Sequence, residues 1–240
     1  AKRKAGLPSH GFEWLFDTPT RQRGDIHRVD SYLEVVRDVG ISPLEHARME
    51  MWVDGASCER ADELWSSEEL DEVRCAVGLN PGARAAIRLW PVHNWAQLAD
   101  QLNRHGAPAV ILGGPGDVEM VREITSAMET ESPVFTGRLT LLELAAVLKK
   151  CAALVTGDTG PMHIAASQGT PVVALFGPAD PAITGPYGVR NIVLKSSKPC
   201  AGCGARSTDP SRHTCMTDIS VQEVFESVVR LMAEAGDQAG

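Results

Sequence analysis

The chain has 240 residues, of which 43% are hydrophobic and 22% charged, with a formal net charge of −8. That composition is ordinary for a globular protein, with room for one large domain or two modest ones. The acidic balance argues against a surface that coats nucleic acid or membrane, and no apolar window reaches the ~18 residues that span a bilayer.

Taken in chain order, the sequence opens on "AKRKAGLPSHG" with no Met and no secretory signal, so its true N-terminus is expected to lie upstream. Lys2, Arg3, Lys4, Arg21, Arg23 and Arg28 outnumber Glu13, Asp17 and Asp25 in the first 28 residues. A solvated basic segment is preferred there over a surface that meets an acidic substrate. "HRVDSYLEVVRDVG" predicts an amphipathic helix with Val29, Leu33, Val36 and Val39 inward. "SSEELDEV" predicts a second helix, opened by a Ser66–Glu69 capping box. Few strands and little apolar sequence mark residues 1–74, which read as the tail of a preceding domain.

From residue 75 onward apolar runs alternate with helical patterns. "CAVGLNPG" predicts a buried strand, and "WPVHNWAQLADQLNRHG" a helix with Pro91 in its first turn, Trp95, Leu98 and Leu102 on one face, and Gly106 at its end. "APAVILGG" is a second strand, followed by a helix over 118–128. "SPVFTG" predicts a short strand, and "TLLELAAVLKKC" a helix whose Thr140 and Glu143 form a capping box. "ALVTGD", "PVVALFG" and "NIVLKS" are strands, with a short helix, "PMHIAASQG", after the first. "SVQEVFESVVRLMAEA" ends the chain as an amphipathic helix with Val224, Val228 and Leu231 on one face. Strands and helices of these lengths predict an α/β fold: a Rossmann-like parallel sheet with helices on both faces, over about 75–220. Ligands of such sheets bind beyond the carboxyl ends of the strands, where the Gly turns at 82, 113–114, 137, 157–160 and 177 fall.

Three of those turns carry candidate ligand groups. In "GDTGPMHIAASQG" a helix start offers unpaired amides and about half a positive charge. Gly160 permits close backbone approach, Pro161 suits the first helical position, and His163 falls in the first turn. A diphosphate there would be held by the amides, the Thr159 hydroxyl and His163. Asp158 suits a sugar hydroxyl or the orientation of the loop. "NPGARAAIRLWP" adds Gly82 and two guanidinium groups, Arg84 and Arg88, whose shape matches phosphate. "LGGPGD" offers Asp117 either to ribose hydroxyls or as a helix N-cap. Each has a plainer alternative: an ordinary strand–turn–helix joint with His163 satisfied locally, or two solvated arginines.

The chain has six Cys. Cys58, Cys75 and Cys151 are isolated, and without a secretory signal reduced thiols are expected. Cys200, Cys203, His213 and Cys215 could ligate zinc, but the last two are close for a structural site, and a reduced loop is preferred. No GxSxG, HExxH or P-loop pattern occurs, and no carboxylate pair stands out as an acid/base couple.

Together "LNPGAR…RLWP", the "GG" turn, "TGRLTLLELAAVLKKC", "GDTGPMHIAASQGTPVVALFG" and "PADPAITGPYG" resemble glycosyltransferase family 9, the lipopolysaccharide heptosyltransferases. "CAGC…HTCM" looks like the Cys-bearing loop of the heptosyltransferase II branch. The resemblance covers 75–235 well and 25–74 more weakly. It implies a GT-B fold of two Rossmann-like domains. Residues 1–74 would then be the C-terminal remnant of the acceptor-binding N-terminal domain, 75–220 the nucleotide-sugar donor domain, and 221–240 a terminal helix packing toward the N-terminal domain. The base, an Asp in the family, is expected near the start of the missing part. Catalytic residues are therefore unassigned, and this chain alone is expected to bind donor but turn over little. The implied reaction moves heptose from ADP-L-glycero-β-D-manno-heptose to the lipopolysaccharide inner core with inversion, without metal or cofactor. The partners implied are that donor and a lipid A–core acceptor, with no nucleic acid, in the cytoplasm with peripheral contact at the inner membrane. The implied donor-binding residues are Ala83, Arg84, Arg88, Asp117, Leu139, Asp158, Thr159, Gly160 and His163, with Asp117 at the ribose and Leu139 at the adenine. The family often has Lys at the position of Arg88, and some relatives a hydroxyl residue at Ala83. A family-9 transferase for another nucleotide-sugar, or a truncated non-catalytic binding module, are the alternatives.

Overall fold

A computed structural model of the chain describes residues 4–7, 13–20, 23–42, 47–198 and 214–236. The N-terminal part carries β1 (Ala5–Gly6) and β2 (Thr18–Pro19), a parallel two-residue pair, then α1 (Arg28–Asp38) and α2 (Gly55–Ser67). The remainder alternates: β3 (Val77–Asn80), α3 (Val92–Arg104), β4 (Ala109–Ile111), α4 (Val118–Ala127), α5 (Leu141–Lys150), β5 (Ala153–Gly157), α6 (Gly160–Gln168), β6 (Val172–Phe176), α7 (Pro181–Thr184), β7 (Asn191–Lys195) and α8 (Val221–Gly236).

β3 to β7 form one parallel sheet in the order β4-β3-β5-β6-β7. The chain runs outward from β3 to β4, then returns to the other side of β3 with β5. The topological switch point therefore lies between β3 and β5, where α/β sheets open a crevice at the carboxyl ends. Each strand alternates its side chains between two cores. Val77, Leu79, Val155, Val173 and Leu175 face α3, α4 and α8; Leu154, Val172, Ala174 and Phe176 face α2, α5 and α6. Both faces are apolar, as a parallel sheet covered by crossover helices requires. Trp90 and Trp95 meet edge-on with centroids 5.0 Å apart, and the Trp90 indole donates to the Ile219 carbonyl, tying the approach to α8 onto α3. Val224, Val228 and Leu231 of α8 are buried in that same core.

Three local expectations change. Ser66 and Glu69 do not open a helix. They end α2, whose N-cap is Asp54 accepting the Ser57 amide. Glu69 adopts a left-handed φ of 58°, the Leu70 amide donates back to the Trp65 carbonyl, and the Ser66 hydroxyl bonds Asp71. α2 packs on α5 through Ala61, Leu64 and Trp65, so it shares the core of the sheet. In α1 the covered side differs from the expected one: Val29, Leu33 and Val36 are half-buried, Val39 is exposed and Ser31 is buried. Contacts to the chain after α7 set that orientation, with the Tyr187 hydroxyl donating to Asp30 and His27 Nε2 sitting 3.1 Å from the Gly185 carbonyl oxygen. The expected strand in "SPVFTG" is a single parallel bridge, Ile111 with Val134. Pro133 has no amide to give, and Gly137 turns away at φ 74°.

Candidate functional site

A cavity of about 760 Å³ opens beyond the carboxyl ends of β3, β4 and β5, at the switch point. All nine residues singled out above line it. Ala83, Arg84 and Arg88 come from the segment between β3 and α3, and Asp117 from the turn after β4. Leu139 precedes α5; Asp158, Thr159, Gly160 and His163 join β5 to α6. Asn80, Pro115, Thr140, Leu141 and Leu144 line it as well, and the sequence reading missed them. Asn80 left a signal in its place at the last position of a buried strand. Leu141 left one only in its place directly after the Thr140 cap, and the structure shows it 65% exposed there.

The start of α6 differs slightly from expectation. Thr159 is the N-cap, Gly160 the first helical residue and Pro161 the second. Thr159 makes no side-chain cap bond; its hydroxyl lies 3.0 Å from that of Thr156 instead. The first-turn amides thus face the cavity without a side-chain acceptor, an arrangement suited to an anion.

The charges around it are organised. Arg88 Nη1 lies 2.7 Å from Asp158 Oδ2, with the carboxylate side chain 12% exposed and the guanidinium 32%. Asp158 therefore holds Arg88 across the crevice, while Arg88 Nε is buried without a partner. Arg84 is exposed at the rim. Asp117 is the residue before α4 but does not cap it; its Oδ2 accepts the Gly114 amide at 2.8 Å. Gly82 makes room for it: a Cβ there would lie 2.5 Å from that same oxygen and would displace the carboxylate. His163 Nδ1 is buried with no partner. Burial pushes the imidazole below its ordinary value of 6.5, Asp158 opposes that shift, and nearby His27 adds to it. His163 is consequently held neutral, and an arriving anion would favour its protonated form. The resulting surface presents backbone amides, a hydroxyl, two guanidinium groups and an imidazole, with both carboxylates already engaged.

Not every Gly turn contributes. Gly177 packs against Cys215 and Met216, where a Cβ would lie 2.6 Å from the Met216 sulfur. "PADPAITGPYG" forms α7 and the seat for α1 rather than a wall of the cavity. Cys200, Cys203 and His213 lie outside the described residues; Cys215 is buried.

Comparison with known proteins gives a consistent match. The family model for glycosyltransferase family 9 (heptosyltransferase) matches residues 2–212. Lipopolysaccharide heptosyltransferase 2 of Salmonella typhimurium is 33% identical over 178 residues, 72% of this chain and 51% of the relative. A solved glycosyl transferase family 9 structure from Veillonella parvula superposes with a TM-score of 0.84 at 31% identity, covering 95% of this chain and 67% of the other. The E. coli ADP-heptose lps heptosyltransferase II structure gives 0.75 at 26% identity, covering 92% and 66%. The chain spans about half the length of the curated relatives it matches.

Proposed function

The chain belongs to glycosyltransferase family 9, and from that premise we propose that it provides the donor-binding half of a GT-B heptosyltransferase of lipopolysaccharide core assembly. The donor is an ADP-heptose, the compound in the name of the E. coli relative. The observation that carries this reading is the convergence of Arg88, His163 and the uncapped start of α6 on one cavity at the switch point.

The diphosphate lies at the start of α6, against its free amides, the Thr159 hydroxyl, His163 and Arg88. These groups stabilise the negative charge that grows on the departing ADP as the bond to the anomeric carbon breaks. Asp117 faces the ribose, with its carboxylate pre-oriented by the Gly114 amide. Leu139 lies along the adenine and Ala83 leaves the phosphate loop open. Asp158 fixes Arg88 and faces the donor sugar. The acceptor hydroxyl, on a lipid A–core saccharide, attacks with inversion, and the acceptor-binding half of the fold supplies its base. Departure of ADP on these protein groups requires no metal in this reading. Transfer takes place at the cytoplasmic face of the inner membrane, reached as a peripheral protein; no helix among the described residues is long and apolar enough to cross it.

A melting series tests the proposal. A ligand at 100 times its Kd stabilises by about 2.7 kcal/mol, which raises the melting temperature of a chain this size by about 5–10 °C. ADP-heptose is expected to give that rise and UDP-glucose none. A larger rise with UDP-glucose would keep the fold and refute the heptose donor.

A further inference from the structure

Three polar side chains form a line that runs from the sheet to the cavity, and the diphosphate reading uses only the last of them, Thr159. Asn80 and Thr156 lie at the ends of the adjacent parallel strands β3 and β5 and stand opposite each other in register. Both are buried, Asn80 to 3% exposure and Thr156 to 0%. Asn80 Nδ2 donates to Thr156 Oγ1 at 3.1 Å, and Thr156 Oγ1 lies 3.0 Å from Thr159 Oγ1. A β-branched apolar residue would suit a buried strand position at least as well as Thr156. The hydroxyl there therefore calls for a reason other than packing.

Proton counting supplies one. A hydroxyl has one proton and two lone pairs. Thr156 accepts from the Asn80 amide; either hydroxyl of the Thr156–Thr159 contact can donate, and the relay is the arrangement in which Thr156 does. Thr159 then accepts from behind and keeps its proton for the cavity. Every donor in the line points toward the place where an anion would sit, and bonds chained in this way polarise one another in the same sense. The absent N-cap bond fits this arrangement: the Thr159 hydroxyl is drawn back to Thr156 rather than onto the first-turn amides of α6.

We propose that Asn80 and Thr156 are positioning residues for anion binding, a buried relay that orients the Thr159 hydroxyl as a donor to the diphosphate of the nucleotide-sugar. The inference rests on the donor reading of the cavity. Asn80 lines the cavity and Thr156 does not; in the relay both act through Thr159.

A double-mutant cycle on the 240-residue chain separates orientation from simple structural support. ADP and adenosine are titrated calorimetrically into the wild type, Thr159→Val, Thr156→Val, the double variant and Thr156→Ser. Thr159→Val and Thr156→Val are each expected to weaken ADP roughly tenfold, the scale of one hydrogen bond to a charged group. The double variant is expected to be no weaker than Thr159→Val. Thr156→Ser, which keeps the hydroxyl, is expected to stay within about threefold of wild type. Adenosine, which has no diphosphate, is expected to bind all of them alike. Losses that multiply in the double variant would overturn the relay, and so would a Thr156→Val protein that binds ADP normally or loses adenosine in equal measure. Thr156→Ala carries the same expectations should the Val variant fail to fold. A wild type that binds neither ADP nor adenosine would overturn the donor reading and the relay with it, whereas ADP binding indifferent to Thr156 overturns the relay alone.

Discussion

Removing either member of the Arg88–Asp158 pair is expected to have unequal consequences, because the two are unequally buried. At a charge separation of about 4 Å and an effective dielectric of about 20 their attraction is about 4 kcal/mol, part of which offsets desolvation. Arg88→Ala strands a carboxylate that is 12% exposed; Asp158→Asn strands a guanidinium that is 32% exposed and reaches water more easily. Breaking a fully buried pair costs about 3–5 kcal/mol. Scaled for this exposure, Arg88→Ala is expected to cost about 2–3 kcal/mol and Asp158→Asn about 1. The double variant, which strands no charge, is expected to cost less than Arg88→Ala alone. At roughly 2–4 °C per kcal/mol for a chain of this size, Arg88→Ala melts about 5–10 °C below wild type. Ligand binding adds a contrast of sign. Arg88→Ala loses charge-assisted bonds to the diphosphate of about 1.5–3 kcal/mol and weakens ADP by about 10–100-fold. Asp158→Asn releases the guanidinium, removes a negative charge beside the diphosphate, and binds ADP at least as tightly as wild type. Denaturation curves and ADP titrations of the three variants supply all the quantities. Equal and additive stability losses, or an Asp158→Asn chain that loses ADP as severely as Arg88→Ala, would refute the reasoning.

The neutral state of His163 predicts a pH effect. Its folded pKa is lowered by burial from 6.5, so the stability it contributes is complete above that value and is lost as pH falls through it toward the folded pKa. ADP binding reverses the sign: a diphosphate favours the charged imidazole, so binding takes up protons and tightens as pH falls toward the folded pKa. Titrations in buffers of different ionisation enthalpy read that uptake, and His163→Ala is expected to abolish it. Gly82→Ala drives a methyl group into the Asp117 carboxylate, and is expected to weaken adenosine as well as ADP, roughly tenfold, because the ribose contact is displaced; unchanged adenosine affinity would remove Asp117 from the ribose. Thr140→Ala deletes one half of the capping box with Glu143, and is expected to cost about 1 kcal/mol in chemical denaturation. Burial pushes the Cys151 thiol up to about 12, so alkylation at pH 8 is expected to label exposed Cys58 and spare Cys151 until the chain unfolds.

What the sequence made legible follows the range over which each feature is decided. The strands of the sheet were readable because burial on both faces leaves continuous apolar runs, and the Thr140–Glu143 box because all its partners lie within one turn. The same local pattern misled at Ser66 and Glu69. A Ser and a Glu three apart also fit the end of a helix, and only the Trp65 anchor, packed near Phe135 and bonded to the Leu70 carbonyl, decides which it is. α2 itself went unseen because Ala61, Leu64 and Trp65 are a sparse stripe among polar residues, and the surface they cover belongs to α5. Nine of the residues that line the cavity were legible, since Gly turns and helix starts announce themselves. Their mutual arrangement was not. Arg88 and Asp158 are 70 residues apart, Asn80 and Thr156 are 76 apart, and only the strand order brings each pair together.

The most direct test of the account is a calorimetric titration of this chain with ADP, ADP-heptose, UDP and UDP-glucose. Binding of both adenine ligands in preference to both uridine ligands, weakened by His163→Ala and by Arg88→Ala, is the result predicted. Preference for the uridine pair, or adenine binding indifferent to both substitutions, would contradict it.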